Sequence, residues 1–298
     1  MLSKRLFWRR AGGQQSARGA VTLYGAALSV AGAIFVVAVI LGSYRALLER
    51  HVERVWADLQ AAGEPAPFDP EMVAELPAPA QRYLLRAIAP GTALAIAVSL
   101  EMQGQITLAP GTEARAFQAR QLLATPRGLL WLARIGDGRS LWGYDFYAHD
   151  SGGMRWLLWG IVPMVHASGA DITRSAAGRV ALEAPLWLPS ALLPQRGARW
   201  EAVDEQRVRV HLKIGTEALT PELTIAEDGR LERVEMRRWA LDGVSGQPGY
   251  ALWVGDSMTE EKTFDGYTIV TRVRATSHAG TPQASPFITA VVTRAEFH

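Results

Sequence analysis

The chain has 298 residues, with 31 Lys and Arg against 29 Asp and Glu, 49% hydrophobic residues, and no cysteine or asparagine. Absent cysteine excludes a disulfide framework, a thiolate metal site, a lipid-modified cysteine and a thiol nucleophile; absent asparagine excludes N-glycosylation. Five of the basic residues crowd into the first 18, so the rest carries 26 Lys and Arg against 29 Asp and Glu, a net near −3 with no basic surplus for a nucleic-acid partner.

Lys4, Arg5, Arg9, Arg10 and Arg18 form a basic head, residues 1–18, without an acidic residue. Residues 19–44, Gly19 to Tyr44, then run for 26 positions without a charge. At 1.5 Å per helical residue, about 20 apolar residues cross a ~30 Å hydrocarbon core. A cleaved signal has an apolar centre of only about 7–15 residues before a small-residue site. The small-residue candidate, Ala31-Gly32-Ala33, falls in mid-run, so the stretch reads as a signal anchor that stays. Positive flanks remain cytoplasmic. The expected topology is a single-pass protein of a bacterial inner (plasma) membrane, N-terminus inside and the bulk of the chain periplasmic or extracellular. Gly25, Ser29 and Ala33 lie four apart and could support self-association through a small-residue helix contact.

Residues 45–80 read as a helical stalk and a Pro-rich linker. Leu48, Val52, Val55, Trp56 and Leu59 recur at helical spacing and make one apolar face. Pro65, Pro67 and Pro70 break that helix, and a short one resumes in "PAPAQRYLLRAIAPG". From about residue 92 the period changes to 2. Ile96, Val98, Leu100 and Met102 oppose Ser99, Glu101 and Gln103, and Val208, Val210, Leu212 and Ile214 oppose Arg207, Arg209, His211 and Lys213. "YTIVTRVRAT" and "FITAVVTRAEF" also read as strands. Asp-Gly pairs at 137–138, 228–229, 242–243 and 265–266 mark hairpins, since this pair tolerates positive φ. A helix near 171–184 covers one sheet face. The expected class is α+β: one transmembrane helix, then a curved antiparallel β-sheet domain, residues 81–298, covered by helices.

No cofactor fingerprint, phosphate loop or G-x-S-x-G elbow occurs, and none of the six histidines has metal-site spacing. "HDSGG" at 149–153 reads as a turn, and His211 as a solvated strand residue. Two constellations carry candidate chemistry. Trp131, Trp142, Trp156 and Trp159, near Tyr144, Phe146 and Tyr147, would either line an apolar pocket or fill a core. On the 171–184 helix, Asp171, Ser175, Arg179 and Glu183 follow at i+4 steps. Arg179, with Arg174 bending inward, would clamp a carboxylate or phosphate; alternatively Arg179 and Glu183 form a plain surface ion pair.

Several segments together resemble a family of uncharacterised bacterial membrane-anchored proteins, a domain of unknown function. They are "LPAPAQRYL" at 76–84; Met102, Gly104 and Ile106; Phe117, Ala119 and Gln121; Trp131, Ala133 and Arg134; and Gly143, Asp145 and Tyr147. Arg179, Glu183, Trp187 and Pro189 follow, then "RWEAVDEQRVRV" and "IAEDGRLERVEMRRW". The resemblance spans roughly 70–240, implies one exported domain, and brings no activity with it. A curled sheet under helices also resembles envelope lipoprotein-carrier half-barrels, at the level of fold only. Three expectations follow. The first is a membrane-anchored binding module for an apolar or lipid-like ligand, with Trp131, Trp142, Trp156, Trp159, Arg174, Arg179 and Glu183 at the site. The second is a structural or interaction protein of the envelope with a filled core. The third is a hydrolase assembled from Asp145, His149 or Asp171.

Overall fold

The computed structural model describes residues 12–60, 66–138, 140–243 and 245–298, with side chains from residue 27 onward. Two compact units result, residues 1–49 and 50–298. Helix α1 spans Gly12–Gln60. Its apolar stretch has a mean hydropathy of 2.2 over the best window, and none of that window is buried in protein. Leu28, Ile34, Phe35 and Ile40 are all exposed by 60% or more. A continuous helix that satisfies its own backbone while presenting apolar side chains outward is long and apolar enough to cross a bilayer. Residues 1–11, which hold most of the basic head, lie outside the described residues, as do the surroundings of Gly25 in the expected helix contact.

In the second unit, Val52, Val55 and Leu59 of α1 are buried. Asp69 caps a short 3-10 turn at Pro70–Val73, its carboxylate accepting from the Glu71 N–H. Helix α2, Ala78–Ala87, buries Ala80, Tyr83, Leu84 and Ala87. Phe68 and Val73, inside the Pro-rich stretch, belong to the hydrophobic core of this unit.

Six strands then run as a meander: β1 Val98–Ile106, β2 Arg115–Ala124, β3 Gly128–Ile135, β4 Leu141–Ala148, β5 Ser151–Leu158 and β6 Val162–Ser168. Helix α3, Ala170–Trp187, follows. The second half comprises β7 Arg199–Ala202, β8 Arg207–Ile214, β9 Glu217–Leu219, β10 Glu222–Ile225, β11 Leu231–Ala240 and β12 Gly249–Ser257, then β13 Glu261–Phe264, β14 Tyr267–Val270, β15 Arg272–Ser277 and β16 Ser285–Phe297. The main sheet has the order β6-β5-β4-β3-β2-β1-β16-β15-β12-β11-β10-β8-β7, with β9 on β8, and β13–β14 form a separate hairpin. The main sheet's pairs are antiparallel. The fold is α+β and the sheet is not a closed barrel.

The C-terminal strand β16 pairs with β1 and with β15, so it joins the meander to the second half. Helix α3 connects the two edge strands, β6 and β7, and packs against β5 and β4 on one side and β11 on the other. The face under α3 is therefore concave, and the chain path leaves the helix as its cover.

All four Asp-Gly pairs sit in turns, but for different reasons. Gly229 takes φ 87°, and Asp265 and Gly266 take φ 48° and 88°. At 137–138 the positive φ falls on Gly136 instead, and after 242–243 on Gly246. "YTIVTRVRAT" is two strands, because β14 leaves the main sheet to pair with β13 and β15 returns to it.

Candidate functional site: a cavity beneath α3

Strand alternation decides which side chains reach the concave face. Gln121 of β2 lies opposite Trp131 of β3, which lies opposite Asp145 of β4, so all three share one face. Helix α3 sets Arg179 and Glu183 above them, one turn apart. Arg179 donates from Nε to Glu183 Oε1 at 2.6 Å, from Nη1 to Asp145 Oδ2 at 3.3 Å and from Nη2 to Gln121 Oε1 at 3.3 Å. Gln121 Nε2 donates to Glu183 Oε2 at 2.6 Å, and Trp156 Nε1 donates to Asp145 Oδ1 at 2.9 Å. The guanidinium also lies over the Trp131 ring, 5.2 Å from its centroid.

Every nitrogen of Arg179 is thus engaged by protein. Burial draws its pKa down, but the Glu183 and Asp145 charges outweigh that and hold it above the ordinary value. Burial pushes the Asp145 carboxyl up, against the pull of Arg179 and the Trp156 hydrogen bond.

Beside this cluster lies a cavity of about 350 Å³, bounded by α3 and by strands from both halves of the sheet. Its walls are mostly apolar. Met102, Ile106, Ile288 and Ala290 come from the β1–β16 seam, and Val273, Ala275, Val254 and Gly255 from β15 and β12. The space exists because small residues, Gly255, Ala275, Ala290 and Ala240, occupy inward positions on four strands. Leu241, 43% exposed, and the exposed Asp242 stand at the rim.

Arg238 of β11 is the second guanidinium on the wall. Its Nε donates to the Ser175 carbonyl at 2.8 Å, its Nη2 to Ser175 Oγ at 3.2 Å, and it lies over the Trp253 ring at 4.3 Å. No carboxylate among the described residues forms an ion pair with it, and its Nη1 has no acceptor there. Burial, with repulsion from Arg179, pulls its pKa down to about 10 despite Glu183 and Asp145. Gly178 makes room for it: a Cβ at that position would stand 2.7 Å from Arg238 Cγ. The indole N–H groups of Trp131 and Trp253, both on the cavity wall, are buried without an acceptor.

The structure divides the aromatic constellation. Trp131 lines the cavity, and Trp156 packs behind it at 5.7 Å between ring centroids. Trp142 is on the opposite sheet face, because 142, 144 and 146 alternate with 143, 145 and 147. There it meets Tyr144 and borders a shallow charged groove that includes Arg120 and Arg134. Trp159 sits in the β5–β6 turn at φ 53°, is 55% exposed, and donates to the Gly138 carbonyl at 3.1 Å. Neither Trp142 nor Trp159 touches the cavity. Arg174 also stays outside it, paired with Glu217 at 3.2 Å and stacked over Trp239 at 4.8 Å. The hydrogen bond and charge of Glu217 raise its pKa.

The three hydrolase candidates do not converge. Asp145 is held beneath α3, Asp171 is exposed in the first turn of that helix, and His149 stands in the β4–β5 turn, 4.0 Å from Asp58. Among the described residues no group of His, Asp and Glu is arranged to hold a metal. Arg238 escaped sequence reasoning. Its signal was strand parity in "LERVEMRRWA", where Val234, Met236, Arg238 and Ala240 share the inward face and only one of them is charged.

A family model described as a family of unknown function, DUF6544, matches residues 66–288, and the chain belongs to that family. No curated protein matches the chain. Several solved structures are similar to it. A LolA superfamily protein from Nitrosomonas europaea shares 9% identity with a TM-score of 0.42, over 74% of this chain and 92% of that one. An outer-membrane lipoprotein-sorting-type domain from Vibrio parahaemolyticus shares 12% identity with a TM-score of 0.37, over 68% and 85%. A DUF1329 family protein from Desulfovibrio piger shares 10% identity with a TM-score of 0.37, over 68% and 86%.

Proposed function

We propose that this member of the DUF6544 family is a membrane-anchored, exported binding module that holds an apolar or lipid-like ligand beneath α3. The observation that carries the reading is an apolar space of about 350 Å³ walled by an otherwise well-buried core. Protein interiors pack to the density of organic crystals. The space opens to solvent past Leu241 and Asp242, which gives a ligand a way in. Mostly apolar walls offer water few of the two to four partners that it needs, whereas they suit a ligand of the size that such cavities take.

The polar cluster supports the same reading. Gln121, Asp145, Arg179 and Glu183 satisfy one another, so they form a rigid wall and leave the apolar volume as the feature that recognises. Trp131 presents its ring to that volume. The apolar helix would keep the module at the membrane, and the Lys and Arg excess before it favours an exported domain.

The test is lipid analysis of the full chain. Native mass spectrometry after transfer into a non-lipid detergent, with organic extraction of the same sample, is expected to show a retained apolar molecule. Ala275→Trp, which fills the cavity, is expected to lack it. Wild-type protein that is consistently empty would refute the reading. A second reading, an envelope interaction protein, draws on one observation. Trp159, Ile161, Met164 and Val165 stand exposed on and beside the edge strand β6, an unpaired edge of the kind that docks partners. That reading predicts that extraction yields nothing.

A further inference from the structure

The two cavity guanidiniums differ in what they have left to give. Arg179 spends all three of its nitrogens on Glu183, Asp145 and Gln121, two of them carboxylates. Arg238 spends Nε and Nη2 on one serine, which contributes no charge, and keeps Nη1. A guanidinium carries five N–H donors, and removing its charge from water without an anion is costly. Two polar atoms on this wall, Trp131 Nε1 and Trp253 Nε1, are buried without a partner, and both are donors. Asp145 and Glu183 are both engaged by Arg179, and no carboxylate among the described residues reaches Arg238. Asp242 at the rim is well exposed, and solvent screens it.

We propose that the cavity selects a single-chain amphiphile with an anionic head group, carboxylate or phosphate, which docks on Arg238 above the Trp253 ring. This deepens the binding-module reading and rests on it. The Trp253 ring holds the guanidinium flat, and Ser175 fixes its rotation, so a head group would meet a pre-oriented donor edge. Gly178 lets the arginine lie against α3 instead of swinging out to solvent. From there the tail has the apolar wall of Met102, Ile106, Ile288 and Ala290 to follow. A volume near the lower end for ligand cavities favours one chain over two.

The experiment uses the full chain in phosphatidylcholine nanodiscs with two photoactivatable probes, a diazirine-bearing palmitic acid and the corresponding alcohol, and maps labelled peptides by mass spectrometry. The acid is expected to label β11 and β12 in the wild type. Arg238→Met is expected to lower acid labelling by about tenfold or more, the worth of one charge-assisted contact, while leaving alcohol labelling unchanged. Retained alcohol labelling shows that the variant is folded with its cavity open, and Arg238→Lys is expected to keep part of the acid signal. Unlabelled palmitate and lysophosphatidic acid are expected to compete, and inorganic phosphate alone to fail. Equal effects of Arg238→Met on both probes, or displacement by inorganic phosphate alone, would overturn the anionic-amphiphile assignment and leave the binding-module reading standing. No cavity labelling of the wild type by either probe would sink both.

Discussion

Removing Arg179 would leave Asp145 and Glu183 facing one another beneath α3 with no cation between them. Taking one partner from a buried ion pair costs about 3–5 kcal/mol, because the remaining charge stays desolvated. Arg179→Met is expected to fall near the lower end, since the side chain is still 19% exposed; chemical denaturation of the full chain measures it. The loss should shrink in acid. The Asp145 pKa is already raised in the folded state, so above its ordinary 3.8 the folded chain holds more proton than the unfolded one. Stability linked to this group therefore falls as pH rises through that window. Without Arg179 the rise grows and the slope steepens.

Gly178→Ala tests the neighbouring device. Alanine gains up to about 1 kcal/mol of helix propensity over glycine, but here its methyl would meet Arg238 near the base of the side chain, 2.7 Å away at Cγ. The expected result is no gain in thermal stability and a loss of acid-probe labelling like that of Arg238→Met. Arg179 and Glu183 were legible in the sequence because i and i+4 on a helix are neighbours wherever the helix lies. Arg238 was not, because its partner Ser175 is on another element and only the packing of α3 on β11 brings them together.

At the scale of elements, periodicity did most of the work. The helix expected near 171–184 is Ala170–Trp187. Val98, Leu100 and Met102 in β1, and Val208, Val210, Leu212 and Ile214 in β8, face inward as the period of 2 requires. The tryptophans show where counting residues in a region falls short. Trp131 and Trp142 are close in sequence and lie on opposite faces, because the β3–β4 turn and its register set the parity, and composition carries neither. The end of α1 shows the outer face in use. His51 lies 5.0 Å from Phe146 and 5.7 Å from Tyr144, between ring centroids. Burial, then the charges of Arg54 and Arg155, lowers its pKa below 6.5. Because the folded chain binds this proton less readily than the unfolded one, its contribution is complete above 6.5 and is lost as pH falls through the folded value. Thermal melts from pH 7 downward are expected to show a decline in that range that His51→Phe abolishes. An unchanged slope in the variant would assign the decline to other groups.

At the scale of the whole molecule, the absence of cysteine is an experimental advantage. In spheroplasts, a membrane-impermeant maleimide is expected to label Gln283→Cys, in an exposed loop, and to label Ser3→Cys only after lysis. The reverse pattern would put the folded unit on the cytoplasmic side.

The sequence by itself determined the local and one-dimensional properties. An uncharged run of membrane length, the switch from a period of 3.6 to one of 2, the position of α3 and the Arg179–Glu183 pair all follow from residue spacing. Only the tertiary structure decided the rest. The pairing of β16 with β1, the bridging of the sheet edges by α3, and the small residues that coincide on four strands together open the cavity and aim Arg238 into it. These are contacts between segments far apart in the chain. Their free energy depends on which faces meet, and no window of neighbouring residues contains that information.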